Sequence, residues 1–383
     1  MAGKLETYLS DAELIRNIYA GTLLPQAQVE AFRNSHRLFA TRTVPRSGPV
    51  QRLPLSEVRL QNLNVRSRGS TYDLFDYVSR NRVAGLLILK NGRLALEHYD
   101  LGTDANTRWP SMSMAKSIST TLIGAAIHDG LIDSVDDPLT RYLPDMAGGA
   151  YDNASIRHVL QMSSGVRWDD THTDPDSERR RMLELQIAQQ PGAILSYVAQ
   201  LPRVAVPGES WNYSTGETHV VGALLHAATG CWVADYLSDK IWAKLGMEAE
   251  ATWWLEAPAG LEVAGSGVSA TLRDYGRFGL FVSNNGVIGG ERILPEGWMR
   301  EAVGPRKIGG KQVDYGYMWW PVAGPDGSFE DGAFSARGIF GQFIYINPRK
   351  QVVVVVLSSR SKPKGAEAIL DNDLFNAVAE TLQ

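Results

Sequence analysis

The chain has 383 residues, 44% of them hydrophobic and 21% charged, a balance that supports a packed core and excludes disordered and fibrous classes. Its 38 basic and 42 acidic residues leave a formal charge of −4, so neither nucleic acid nor an anionic membrane is an expected partner. Cys231 is the only cysteine, which excludes an internal disulfide and any metal site built on several thiolates.

In chain order, Met1 to Ala20 scatters Lys4, Glu6, Asp11, Glu13 and Arg16 among its apolar residues and so lacks the apolar stretch of a secretory signal. No apolar run approaches the roughly 18 residues of a membrane span. A soluble, cytoplasmic protein is therefore expected. Residues 1–70 read as a polar N-terminal extension packed on the body, with a helix near Asp11 to Tyr19 and basic, proline-dotted sequence from Arg42 to Pro54. The first core element is Gly85 to Lys90, then Asn91-Gly92, then Arg93 to Tyr99. Two β-prone runs around Asn-Gly predict a hairpin.

From Ser113 the pattern turns helical as far as His128, where Asp129-Gly130 ends it. Further helices are expected at 154–162, 179–190, 193–200, 217–229, 233–245 and 271–284. Strand-like runs close the chain at Tyr315 to Pro321, Gly341 to Ile346 and Val352 to Leu357. Strands, a helical block and strands again predict that the first and last strand groups pair into one sheet. The sheet domain then takes 71–112 and 265–383, and a mainly helical domain takes 113–264. A cleft between them is the default ligand site.

Ser113-Met114-Ala115-Lys116 carries the clearest chemistry. Ser-x-x-Lys alone is a weak pattern, since it recurs at Ser359 to Lys362 and Ser361 to Lys364, both read as solvated positions after a strand. Context separates the first match. Lys116 is the only charged residue between Pro110 and His128, in a helix that reads as buried on all sides. A buried ammonium is costly unless paired or deprotonated. Residues i and i+3 share a helix face, so a desolvated Lys116 can serve as base for Ser113. The Ser113 amide, at the helix start, is placed to stabilise an oxyanion. The competing reading is an N-cap serine with a lysine that snorkels to the surface. Tyr213, in the turn-rich stretch Pro207 to Gly216, could supply a phenol to a proton relay, although a loop tyrosine is more often packing. Gly338 and Gly341, in Ala336 to Gln342, suggest backbone approaching a ligand, or a bulge.

Several ordered motifs then carry a resemblance from about Gly85 to Leu357. They are Ser113-x-x-Lys116, Ile156 to Gly165, Pro207-Gly208 ahead of Tyr213, Leu245-Gly246-Met247, and Gly265 to Asp274. In these the chain resembles the serine hydrolases of the β-lactamase and penicillin-binding-protein superfamily, class C-like branch. Within it the chain is most similar to 6-aminohexanoate-dimer hydrolases and next to family VIII carboxylesterases. The resemblance implies an α+β, β-lactamase/transpeptidase-like fold: an antiparallel sheet flanked by helices, with an inserted all-α domain.

It further implies Ser113 as nucleophile, Lys116 as its base and Tyr213 as proton relay, with the Ser113 and Ile339 amides as oxyanion hole and no metal or cofactor. The family's Tyr-x-Asn reads Tyr213-Ser214-Thr215, and its Lys-Thr-Gly reads Ala336-Arg337-Gly338. The second departure removes the cation that meets a β-lactam carboxylate, unless Arg337 points inward. His172 stands where the relatives' substrate-covering loop has a tyrosine, and Glu184 is the nearest candidate to meet a substrate amine. Thr215, Gly338 and Gln342 complete the expected substrate-binding set. Substrates are expected to be small amides or esters, with β-lactamase, D-amino-acid peptidase and non-catalytic binding roles as lesser alternatives. A homodimer is left open. His158, His226, Asp274 and Arg277 read as structural, and the ten tryptophans as core or as a cleft lining. Gly-x-Ser-x-Gly, His-Glu-x-x-His and Gly-x-x-x-x-Gly-Lys are all absent from the sequence.

Overall fold

The computed structural model describes residues 11–382 except 59 and 61. Its centre is a six-stranded antiparallel sheet in the spatial order 320–321, 334–338, 342–347, 352–358, 83–90, 93–99. The last long strand, Val352–Ser358, lies beside the first, Val83–Lys90, and so closes the sheet between distant parts of the chain. Asn91 and Gly92 both have positive φ (51° and 72°) and turn the expected hairpin tightly.

Both faces of the sheet are buried, which is why Val352 to Leu357 is a continuous apolar run. Side chains alternate across a strand. Val353, Val355 and Leu357 join the large core, while Val352, Val354 and Val356 face a smaller one. Helix Leu272–Ser283 packs on the first face. A Cβ on its Gly276 would come within 2.4 Å of Leu87 Cδ2, so glycine is what lets the helix lie this close. Helices Leu74–Arg80 and Asp371–Thr381 cover the second face, where Phe375 stacks on Tyr345 with ring centroids 4.6 Å apart.

The helical block contains Met114–His128, Ile156–Leu160, Glu178–Ile187, Ala193–Ala199, Thr215–Thr229 and Val233–Lys240. Met114–His128 packs against Thr215–Thr229 on one side and against the sheet strand 334–338 on the other. Hence the helix that begins at Ser113 lies where the helices meet the sheet. A second sheet, in the order 41–44, 251–254, 268–270, 109–110, lies under its N-terminal end.

Some elements depart from the sequence reading. The stretch Tyr315 to Pro321 is a strand only at Trp320–Pro321. Met318 has φ 56° and Gly316 N–H donates to Trp319 O, so a tight turn replaces the ladder. The stretch Ala336 to Gln342 joins two strands, Phe334–Gly338 and Gln342–Asn347, through a turn at Phe340 and Gly341. The proline-dotted lead-in contains strand Thr41–Val44, and the chain ends in a helix that the sequence reading did not include. Among the described residues, no single helix is long and apolar enough to cross a membrane.

Candidate active site

The approach to Ser113 is fixed from both sheets. Trp109–Pro110 pairs with Val268–Ala270, and Ser111 N–H donates to Val268 O at 2.7 Å. Met112 then takes φ 46°, unusual for a residue with a side chain, and the turn delivers Ser113 to the helix N-cap. On the other side a Cβ at Gly338 would lie 2.5 Å from Ser111 O, so glycine lets the strand press directly against this turn. Ile339 follows immediately. The Ser113 and Ile339 amides donate to no backbone or side-chain group among the described residues, and both residues line the cavity.

Lys116 is 1% exposed and its Nζ lies 3.1 Å from Ser113 Oγ, 3.1 Å from Thr215 Oγ1 and 3.0 Å from Gly265 O. All three contacts are neutral. Burial lowers its pKa to about 7, against a partial offset from the Asp170 carboxylate, so a large share of the amine is free base near neutrality. The snorkelling alternative fails on burial. Ser113 likewise makes no side-chain cap to its own helix, so its hydroxyl is left for the lysine.

Tyr213 packs its ring 5.3 Å from Lys116 Nζ and lines the same cavity as Ser113. Burial, with the Asp170 charge, raises its pKa, so it is a protonated donor at working pH. Asp170 Oδ1 accepts from Thr215 N and Trp168 Nε1, which ties the 168–176 loop to the start of helix Thr215–Thr229. Burial opposes ionisation of Asp170, but His172, Lys116 and Arg179 outweigh it and hold the carboxyl below its usual range.

A cavity of about 430 Å³ opens over Ser113. Trp211, Tyr213, Trp320 and Phe343 give it an aromatic wall. His172, 6% exposed, faces it, and burial pushes its pKa down to about 3, so the imidazole is neutral. Arg337 does point inward. It bonds Ser335 Oγ and Asn372 Oδ1, both neutral partners, and desolvation lowers its pKa to about 10.

Two expected contacts are corrected. Glu184 is absent from the cavity lining because its helix turns it outward, where both carboxylate oxygens bind Arg16 at 2.9 and 2.7 Å. Gln342 is fully buried behind the wall. Its Oε1 accepts from Trp109 Nε1 and Ser358 N, and its Nε2 donates to Ser358 O and Ile339 O, so it braces the turn at 339–341 and does not line the cavity. Thr215 reaches the site through Lys116, whereas Gly338 lines the cavity.

Sequence reasoning missed an entire wall. Residues 362–367, with Arg360 and Asp371, line the cavity beside Ser113. Lys364 lies 5.9 Å from the Tyr213 ring, so this second Ser-x-x-Lys region borders the site, although Lys362 and Lys364 are exposed as expected. Phe340 N–H donates to Pro363 O, a contact without a periodic signal in the sequence. Elsewhere His158 caps its own helix, and Asp274 and Arg277 bond Glu248, Ala249 and Gln51, all structural roles.

Comparison with known proteins agrees with this geometry. The model of the beta-lactamase family matches residues 76–377. The chain belongs to the beta-lactamase family. It is a hydrolase of that superfamily. Over 357 residues it is 30% identical to a 6-aminohexanoate-dimer hydrolase of Paenarthrobacter ureafaciens, covering 90% of this chain and 84% of the relative. A solved Bacillus anthracis structure assigned to the 6-aminohexanoate-dimer hydrolases superposes with TM-score 0.81 at 23% identity, covering 93% of this chain and 94% of that one. A family VIII carboxylesterase superposes with TM-score 0.60 at 14% identity, covering 81% and 95%. At these identities the two structures speak to the fold.

Proposed function

We propose that the protein is a serine hydrolase that opens short linear amides through an acyl-enzyme, with amides of the 6-aminohexanoate-dimer type as substrates. The observation that carries this reading is the Lys116 amine, buried among neutral partners and 3.1 Å from Ser113 Oγ. In the first step Lys116 takes the Ser113 proton while Oγ bonds to the substrate carbonyl carbon, and the carbonyl π pair moves to oxygen. The Ser113 and Ile339 N–H groups receive that oxyanion in this reading, which is supported by their having no other acceptor among the described residues. As the tetrahedral intermediate collapses, the bond to the leaving nitrogen or oxygen breaks. Tyr213 protonates the leaving atom and regains its proton from Lys116. Water then attacks the ester carbonyl carbon, giving one proton to the same relay; the bond from that carbon to Ser113 Oγ breaks as the second intermediate collapses, and the relay returns the proton to Oγ, leaving acid product and free Ser113.

A second reading, a carboxylesterase of the same fold, is favoured by one observation. Glu184, the carboxylate expected to meet a substrate ammonium, is occupied by Arg16 outside the cavity. The relative kcat/KM for the linear 6-aminohexanoate dimer and for p-nitrophenyl butyrate separates the two. The amidase reading requires dimer turnover that disappears in Ser113→Ala. Ester turnover with no detectable dimer cleavage would replace it with the esterase reading. Ala336 stands where the family has lysine, but Arg337 beside it points into the cavity and keeps a cation there, so this departure does not by itself argue against penicillin hydrolysis.

A further inference from the structure

We propose that the N-terminal helices α1 (Asp11–Ala20) and α2 (Pro25–Arg33) form a brace behind the walls of the active-site cleft, with Tyr19 and Gln28 as positioning residues. The proposal rests on the hydrolase reading only for which cleft is braced. The two facing walls are built from distant parts of the chain: loop 168–176, which presents His172, and segment 359–367, which presents Lys362 and Lys364. Neither wall is regular secondary structure over the residues that face the cavity. The brace touches both.

On the first wall, the Tyr19 ring lies parallel to the His172 imidazole, 2° between planes and 5.9 Å between centroids. The Arg179 guanidinium sits 4.6 Å from the same tyrosine ring, so Tyr19 is held between loop and helix Glu178–Ile187. Tyr19 is 2% exposed, which makes this packing rather than a surface contact. Arg16 and Glu184 add an ion pair, but both are partly exposed and such pairs contribute only about 0–1 kcal/mol.

On the second wall, buried Gln28 donates its Nε2 hydrogen to Arg360 O at 2.6 Å, and Gly21 O, in the turn after α1, accepts from Lys362 Nζ at 2.7 Å. Phe32 of α2 meets Phe340 and Trp109 edge-on at 5.4 and 5.5 Å, directly behind the oxyanion turn. Two consecutive helices and the turn at Gly21 between them therefore contact the His172 loop, the Lys362 segment and the Ile339 turn. The distance between the walls, and with it the length of acyl chain the cavity accepts, is set by a part of the chain that carries no chemistry.

Hydrogen exchange on the full-length protein tests the brace independently of turnover. Tyr19→Ala should speed amide exchange about 10-fold in residues 169–173 and, across the cleft, in 359–364, while Tyr19→Phe, which keeps the stacked ring, leaves both as in wild type. Gln28→Ala should show the reverse propagation, from 359–364 to 169–173. In parallel, Tyr19→Ala should raise KM for p-nitrophenyl hexanoate about 5-fold with kcat and the rate of Ser113 labelling by a small fluorophosphonate within about two-fold. Faster exchange confined to the mutated side in both variants would overturn the brace and leave two local packing contacts. A wild-type protein that no fluorophosphonate labels would sink the hydrolase reading, and the exchange data would still decide the brace.

Discussion

The two sides of the cavity are built on opposite terms. Ser113, Lys116 and Thr215 stand at the starts of long buried helices, each held by the second sheet, by strand 334–338 or by the helix beside it. The facing walls, 168–176 and 359–367, are irregular chain fixed by scattered hydrogen bonds, the Arg360–Asp371 pair and stacking. On the proposed mechanism, the chemistry that needs sub-ångström placement sits on rigid elements, and the contacts that would choose a substrate sit on loops. Substitutions on the helical side should therefore change the rate of acylation, and those on the walls should change KM.

Ser113→Ala tests that division most severely. It removes the atom proposed to attack, and kcat should fall by at least about 10⁴-fold with Tm unchanged within a degree or two. A Lys116→Met variant should lose about 10³-fold in acylation, and it carries a second signature. The folded lysine has its pKa depressed to about 7 from an unfolded value near 10.5. Between those values the unfolded chain binds more protons than the native one, so wild-type stability rises with pH across that window and is lowest below pH 7. The Tm advantage of Lys116→Met should accordingly be largest at pH 6 and shrink towards pH 10. In wild type, kcat/KM should climb through an acid limb near pH 7 as the amine deprotonates.

A smaller effect is expected from Tyr213→Phe, about 10²-fold on the linear amide, which needs a proton on its leaving nitrogen, and under about 10-fold on a p-nitrophenyl ester, whose leaving group does not. Equal losses on both substrates would move Tyr213 from proton relay to packing. Thr215→Val removes one of the neutral partners of Lys116 Nζ, so the ammonium is less well solvated and the acid limb should shift to lower pH. At the bottom of the scale, Glu184→Ala should leave kcat and KM within about two-fold, because its carboxylate serves Arg16 on the surface. A large KM increase in that variant would return Glu184 to the substrate.

Legibility in the sequence follows the same division. Lys116 was readable because a lone charge in an apolar helix conflicts with its surroundings, and such conflicts mark function. The main sheet was readable from the Asn91-Gly92 hairpin and the valine run at 352–356. The second sheet was not, since its strands are two to four residues long and two of its three pairings join distant parts of the chain, Thr41 with Trp254 and Trp109 with Ala270. Glu184 was placed by its distance along the chain from His172, but the helix Glu178–Ile187 that carries it turns that position towards Arg16. The wall at 359–367 is polar and aperiodic, so nothing local separates it from a solvated tail. What makes it a wall is Pro363 O meeting Phe340 N–H, and Arg360 gripping Asp371 through two bonds.

The most direct test of the central claim is intact-mass spectrometry after brief incubation with p-nitrophenyl acetate, run on wild type, Ser113→Ala and Lys116→Ala between pH 6 and pH 8. An acetyl adduct on wild type that accumulates faster as pH rises through about 7, is missing in Ser113→Ala and barely forms in Lys116→Ala is the predicted result. An adduct that persists in Ser113→Ala, or a wild type that never acquires one, would contradict the serine–lysine assignment.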